Sequence, residues 1–172
     1  NGGSCTAICD GKSMDTSMGL TPLEGLMMGT RAGDVDLGAA TYIMDKENLD
    51  TAAFSNLVNK KSGLMGVSGV SSDARDIEAA VQEGNEKAIL SRKMYAHRLA
   101  QTIGSYYVEL GHVDAIVFTA GLGENDANVR AEALDVVKEA LGIEYDKELN
   151  AKTRGKEVKI STENSKVEVW IV

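Results

Sequence analysis

Spacing between apolar residues changes several times along this chain, and each change marks an element. Residues 5–9 and 12–17 read as two short strands, and Asp10-Gly11 between them is a pair favoured in a type I′ hairpin turn. Across residues 14–36, glycines at 19, 25, 29 and 33 break both the helical and the strand period, which predicts a structured loop with short helical turns. Helical spacing returns at Ala39, Ala40, Ile43 and Met44 and again at Phe54, Leu57 and Val58. Residues 37–60 therefore predict two helices, the second capped by Asp50 or Thr51. Ser72 or Asp73 can cap a further helix through Ile77 and Val81. The longest helix falls within residues 84–111, with Ala96, Leu99, Ala100, Ile103, Tyr107 and Leu110 on one face and Gly111 as its stop.

Residues 114–130 carry the strongest local signal. The unbroken apolar run 115–118 suits a strand buried on both faces of a mainly parallel sheet. Gly121 and Gly123 then allow a tight turn and a close approach to a ligand, and Asn125 or Asp126 can cap the helix that follows. Val129, Ala133, Val136, Val137 and Ala140 make that helix amphipathic, and residues 157–172 supply two strand-like pieces around Asn164-Ser165. A strand, a glycine turn and a helix start place backbone N–H groups at the carboxyl edge of a sheet, where open α/β proteins bind nucleotides. The glycine spacing is neither a Walker loop nor a full dinucleotide fingerprint, so a plain β–α turn and a nucleotide-binding turn both stand.

A length of 172 residues suits one domain or slightly more. A net charge of −8 offers no basic surface to a nucleic-acid backbone or an anionic membrane, which excludes both as expected partners. No apolar stretch approaches membrane-spanning length and no signal peptide opens the sequence. Cys5 and Cys9 read as buried or half-buried thiols in a reducing cytoplasm, and His97 and His112 lack partners at metal-ligand spacing. The start at Asn1 and the apolar run 167–172 at the other end predict a piece of a longer protein.

Candidate chemistry concentrates at Arg31, between Gly29 and Gly33. An arginine on a glycine-framed loop suits bidentate recognition of a phosphoryl group; a structural salt bridge to Asp34 or Asp36 is the competing reading. Asn1, Gly2 and Gly3 form either a second phosphate-holding loop or merely the lead-in to the hairpin.

Residues 14–36 resemble the signature of the acetate kinases almost residue for residue. The likeness continues through Lys61-Ser62-Gly63-Leu64, Gly66-Val67-Ser68-Gly69, Ser71-Ser72-Asp73-Ala74-Arg75, Gly84-Asn85-Glu86, residues 114–130 and Ile160-Ser161-Thr162. Departures are small: Leu20, Ala32, Leu37, Gly38 and Leu122 differ from the residues frequent in that family, and of these only Ala32 removes a hydroxyl, beside Arg31. The resemblance implies an α/β lobe of the ribonuclease-H-like, actin-like class shared with sugar kinases and heat-shock ATPases, with a mixed, partly parallel sheet flanked by helices. Residues 1–172 would form most of the C-terminal, nucleotide-binding lobe, with the N-terminal lobe and the extreme C-terminus absent. The implied reaction is reversible transfer of the ATP γ-phosphoryl group to acetate, giving acetyl phosphate and ADP.

By the same resemblance, Arg31 is the catalytic transition-state stabiliser and Asn1 and Gly2 contact phosphate. Asp73, Ala74 and Arg75 line the adenosine pocket, and Gly121, Leu122, Gly123, Glu124 and Asn125 close over adenine and ribose. Mg²⁺ would accompany the nucleotide, with its ligands mainly outside this chain and none within it, and a homodimer would pair through this lobe. Two rival functions remain: a related short-chain carboxylate kinase such as butyrate kinase, and a non-catalytic, actin-like ATP-binding scaffold. Because the acetate pocket and other catalytic groups would lie in the other lobe, residues 1–172 alone are expected not to turn over substrate; kinase activity of the isolated chain contradicts this.

Overall fold

The computed structural model describes residues 2–172; Asn1, expected to contact phosphate, lies outside the described residues. The chain divides into two compact units, one of residues 2–5 with Thr16–Tyr95 and one of Thr6–Asp15 with Ala96–Val172.

The first unit is helical apart from its glycine-rich loop. Helix α1 (Leu37–Lys46) is capped by Asp36, which accepts from Ala39 N at 2.7 Å, and α2 (Thr51–Lys60) by Asp50, which accepts from Ala53 N at 2.7 Å. Asp50 therefore takes the cap for which Thr51 also qualified. Short α3 (Gly63–Ser68) and α4 (Ala74–Gln82) follow, then α5 (Glu86–Leu110), whose residues up to Tyr95 belong to this unit. Leu26, Met27, Met28, Val58, Leu64, Ile77 and Ala80 are buried. The apolar face expected of α1 stays largely at the surface, where only Ala40 is buried.

Residues 28–34 do not float over this core. Ala32 N donates to Val58 O, Ser62 N to Thr30 O, Leu64 N to Met28 O and Met65 N to Gly29 O, all within 2.8–3.0 Å, and the Thr30 hydroxyl donates to Asn59 O at 2.9 Å. The loop is thus held by the end of α2 and the start of α3. So close a passage needs Gly63, at φ +65°, where a Cβ would sit 2.1 Å from the Met28 carbonyl oxygen.

In the second unit, β1 (Thr6–Cys9) and β2 (Lys12–Thr16) pair as a hairpin, although the last residue of β2 counts with the first unit. Asp10 at φ +51° and Gly11 at φ +72° give the two left-handed residues of a type I′ turn, as expected. Helix α5 buries Ala96, Leu99 and Ala100 along the predicted face and ends at Gly111, φ +67°. A three-stranded sheet has the order β3 (Ala115–Phe118), β5 (Glu168–Ile171), β4 (Val158–Lys159). β3 and β5 run parallel with Ala115 opposite Glu168 and Phe118 opposite Ile171, and β4 is antiparallel to β5. The sheet is accordingly mixed and partly parallel. Helices α6 (Ala120–Asn125), α7 (Ala127–Leu141) and α8 (Lys147–Lys152) complete an α/β unit whose core includes Phe118, Leu134, Val137, Ile160, Val169 and Ile171.

Two expectations are corrected. Strand β3 is not buried on both faces: Ala115 and Val117 are exposed, Val117 by 52%, because β3 is an edge strand here and one of its faces is uncovered. Cys9 is exposed rather than buried or half-buried, because the β1 end of the hairpin is open to solvent; Cys5 is half-buried, and burial pushes its thiol up to about 11. No helix among the described residues is long and apolar enough to cross a membrane.

Gly63→Ala and Gly69→Ala separate close passage from backbone strain. Both glycines are left-handed, but a Cβ at Gly69 meets nothing within 4 Å. Urea denaturation is expected to show a loss of about 1 kcal/mol for Gly69→Ala and at least twice that for Gly63→Ala. Equal losses contradict the close-passage argument.

Candidate functional site

In the first unit, Arg31 inherits its position from the anchored backbone on either side of it. Met28 N donates to Arg31 O at 3.1 Å, and Ala32 N is tied to α2. Arg31 is half-buried; its Nη1 donates to Pro22 O at 3.3 Å and lies 3.8 Å from Met28 Sδ. The two carboxylates that could have neutralised it serve backbone instead. Asp34 Oδ1 accepts from Gly25 N at 2.8 Å, and Asp36 caps α1. Among the described residues Arg31 has no ion pair, so the salt-bridge reading fails and a cation is held on a rigid loop. Gly2 adjoins it: a Cβ there would lie 3.2 Å from Arg31 Nη1.

Elsewhere in that unit Asp73, rather than Ser72, caps α4, accepting from Arg75 N at 2.9 Å. Its carboxylate also grips the Arg75 guanidinium, with Oδ1 to Nε at 3.0 Å and Oδ2 to Nη2 at 2.6 Å. Ser71 Oγ accepts from Asp73 N and donates to Asp76. Ala74 is the first residue of the capped helix, and the Arg75 side chain is 89% exposed. The segment is an ordered helix start carrying an accessible, planar cation.

The second unit holds Gly121, Leu122, Gly123, Glu124 and Asn125, all within α6. The expected glycine turn is a short helical turn, and its left-handed residue is Ala120 at φ +59°, not a glycine. Such a conformation costs an alanine roughly 1 kcal/mol and persists only where surrounding contacts hold it. Gly123 passes close to the preceding strand, since a Cβ would stand 3.0 Å from the Phe118 carbonyl carbon. A Cβ at Gly121 would meet nothing within 4 Å, so packing inside this chain does not demand a glycine there. Asp126 caps α7, accepting from Asn128 N at 3.1 Å and Val129 N at 2.9 Å, while the Asn125 amide donates to Gly121 O at 2.8 Å.

One residue escaped sequence reasoning. Arg130 is fully buried and donates to the carbonyls of Gly123 and Glu124 at 2.7 and 2.9 Å, and to Asn150 and Thr153. Its signal was a charge on the buried stripe of α7. That stripe runs through Val129, Arg130, Ala133, Leu134, Val137 and Leu141, whereas Val136 and Ala140, expected on it, are exposed. The described residues form no cluster of three or more His, Cys, Asp or Glu able to hold a metal.

Comparison with known proteins bears on all of these parts. A family model described as the acetokinase family matches residues 1–172. Acetate kinase of Phocaeicola vulgatus is 58% identical over the whole chain, which spans 43% of that protein's length. The crystal structure of Porphyromonas gingivalis acetate kinase superposes with a TM-score of 0.97 at 50% identity, covering 100% of this chain and 43% of that one. A propionate kinase from Francisella tularensis gives 0.90 at 37% identity, covering 98% and 42%. The expected ribonuclease-H-like, actin-like α/β class holds.

A pH measurement tests the α4 cap. Hydrogen bonds from the Arg75 side chain, then from its backbone N–H, hold the Asp73 carboxyl down to about 2. A depressed folded value stabilises the fold above the unfolded value, about 3.9, and that stabilisation is lost as pH falls towards 2. The difference in melting temperature between the parent and Asp73→Asn should be larger at pH 5 than at pH 2.5. An unchanged difference contradicts the pair's contribution.

Proposed function

This chain belongs to the acetokinase family, and from that premise we propose that the whole protein is a phosphotransferase moving the γ-phosphoryl group of ATP reversibly to acetate, giving acetyl phosphate and ADP. Residues 1–172 would supply most of its C-terminal, nucleotide-binding lobe; relatives more than twice as long support this. Relatives 56–58% identical over the whole chain are acetate kinases, which supports acetate as the acceptor.

The observation that carries the proposal is Arg31: an anchored guanidinium whose neighbouring carboxylates are bonded to backbone N–H groups. In-line phosphoryl transfer asks little covalent work of a protein; it needs alignment and positive charge against the equatorial oxygens. Arg31 would stabilise those oxygens in the transition state, with Gly2 and Asn1 at the phosphates. Asp73, Ala74 and Arg75 would meet adenosine, as would Gly121, Leu122, Gly123, Glu124 and Asn125. Mg²⁺ would travel with the nucleotide and take its protein ligands from outside this chain, screening phosphate charge. The protein would work in the cytoplasm as a homodimer paired through this lobe, and sizing chromatography of the intact protein tests the pairing.

Arg31→Ala in the intact protein should lower kcat about 10³-fold while ADP affinity, read by calorimetry, changes only about threefold. A comparable loss in both would make Arg31 a ground-state binding group. Unchanged turnover would favour a nucleotide-binding scaffold instead.

A further inference from the structure

Arg130 is a buried cation with no carboxylate bonded to it among the described residues. All five of its N–H groups are used. Nε donates to Asn150 Oδ1 at 2.8 Å, Nη1 to Gly123 O at 2.7 Å and Glu124 O at 2.9 Å, and Nη2 to Asn150 O and Thr153 O, both at 2.9 Å. Asn150, itself 2% exposed, is fixed in turn by donating from Nδ2 to Ala127 O at 2.9 Å. The next carbonyl along, Asn125 O, accepts from Nη1 of Arg154. Three consecutive carbonyls of α6 are therefore held from one side by two guanidinium groups.

A six-residue helix cannot hold its own geometry in water, and this one begins with a left-handed alanine. A planar, five-donor guanidinium fixes both the distance and the tilt of the peptide groups it grips, which a flexible ammonium cannot do. We propose that Arg130, braced by Asn150 and Thr153 and assisted by Arg154, is the positioning residue of the turn 121–125, so that it sets affinity for the adenosine moiety of the nucleotide without touching it. This rests on reading that turn as a nucleotide contact.

The test is steady-state kinetics of the intact protein carrying Arg130→Lys, Arg154→Ala or Gly121→Val. Arg130→Lys keeps a buried cation but loses the fork, and should raise KM for ATP about tenfold with KM for acetate unchanged and kcat within about threefold. Arg154→Ala should raise KM for ATP about threefold in the same selective way. If both arginine variants fold and leave KM for ATP at the parent value while Gly121→Val raises it, the positioning role is overturned and the turn still binds nucleotide. If Gly121→Val also leaves KM for ATP unchanged, the reading of the turn fails and the proposal with it. Should Arg130→Lys not fold, Arg154→Ala decides: a selective rise supports the clamp, and no rise overturns it.

Discussion

The start of α3 passes so close to residues 28–31 that only a glycine fits at position 63, and the arrangement of the first unit depends on that closeness. Because the passage is short, the N–H groups of Ser62, Leu64 and Met65 reach the carbonyls of Thr30, Met28 and Gly29. A loop with no helical or strand period thereby acquires the rigidity of regular structure. Asp34 accepts from Gly25 N and Asp36 caps α1, and neither carboxylate pairs with Arg31. Rigidity and available charge are what stabilising a transferring phosphoryl group requires.

The second unit reaches a similar result with different groups. Its short α6 has its carbonyls gripped by Arg130 and Arg154 rather than by neighbouring backbone. A buried arginine facing only carbonyls is costly to desolvate, and burial indeed lowers its pKa. That cost is offset because every N–H finds an acceptor. Asp135 anchors the far side of α7, where Lys147 and Lys138 hold its carboxyl low despite partial burial, and the Tyr145 hydroxyl points at it. In both units the segments proposed to meet the nucleotide are thus held through their backbone carbonyls.

Much of this was legible because local chemistry decided it. Asp10-Gly11 is a pair favoured in a type I′ hairpin turn, Asp50 and Asp73 sit one residue before apolar-periodic runs, and the face of α5 repeats over many turns. What stayed hidden depended on partners far along the chain. Nothing near Arg130 points to Asn150 or Thr153, and the apolar stripe of α7 is rotated by one residue from the expected one so as to include that arginine. The short run 115–118 reads as doubly buried on apolarity alone, yet burial depends on what covers a strand, and β3 lies at a sheet edge. At the turn after β3, glycine content implied a tight turn and close approach to a ligand, whereas the left-handed residue there is Ala120 and Gly123 serves close approach to Phe118. Arg31, by contrast, stands out in the sequence because its glycine frame is local.

The most direct test of the account is a crystal structure of the intact protein with ADP. Adenosine is expected in contact with Asp73–Arg75, and the β-phosphate directed towards Gly2 and Arg31. Nucleotide bound away from residues 73–75, or with its phosphates remote from Arg31, is the contradicting result.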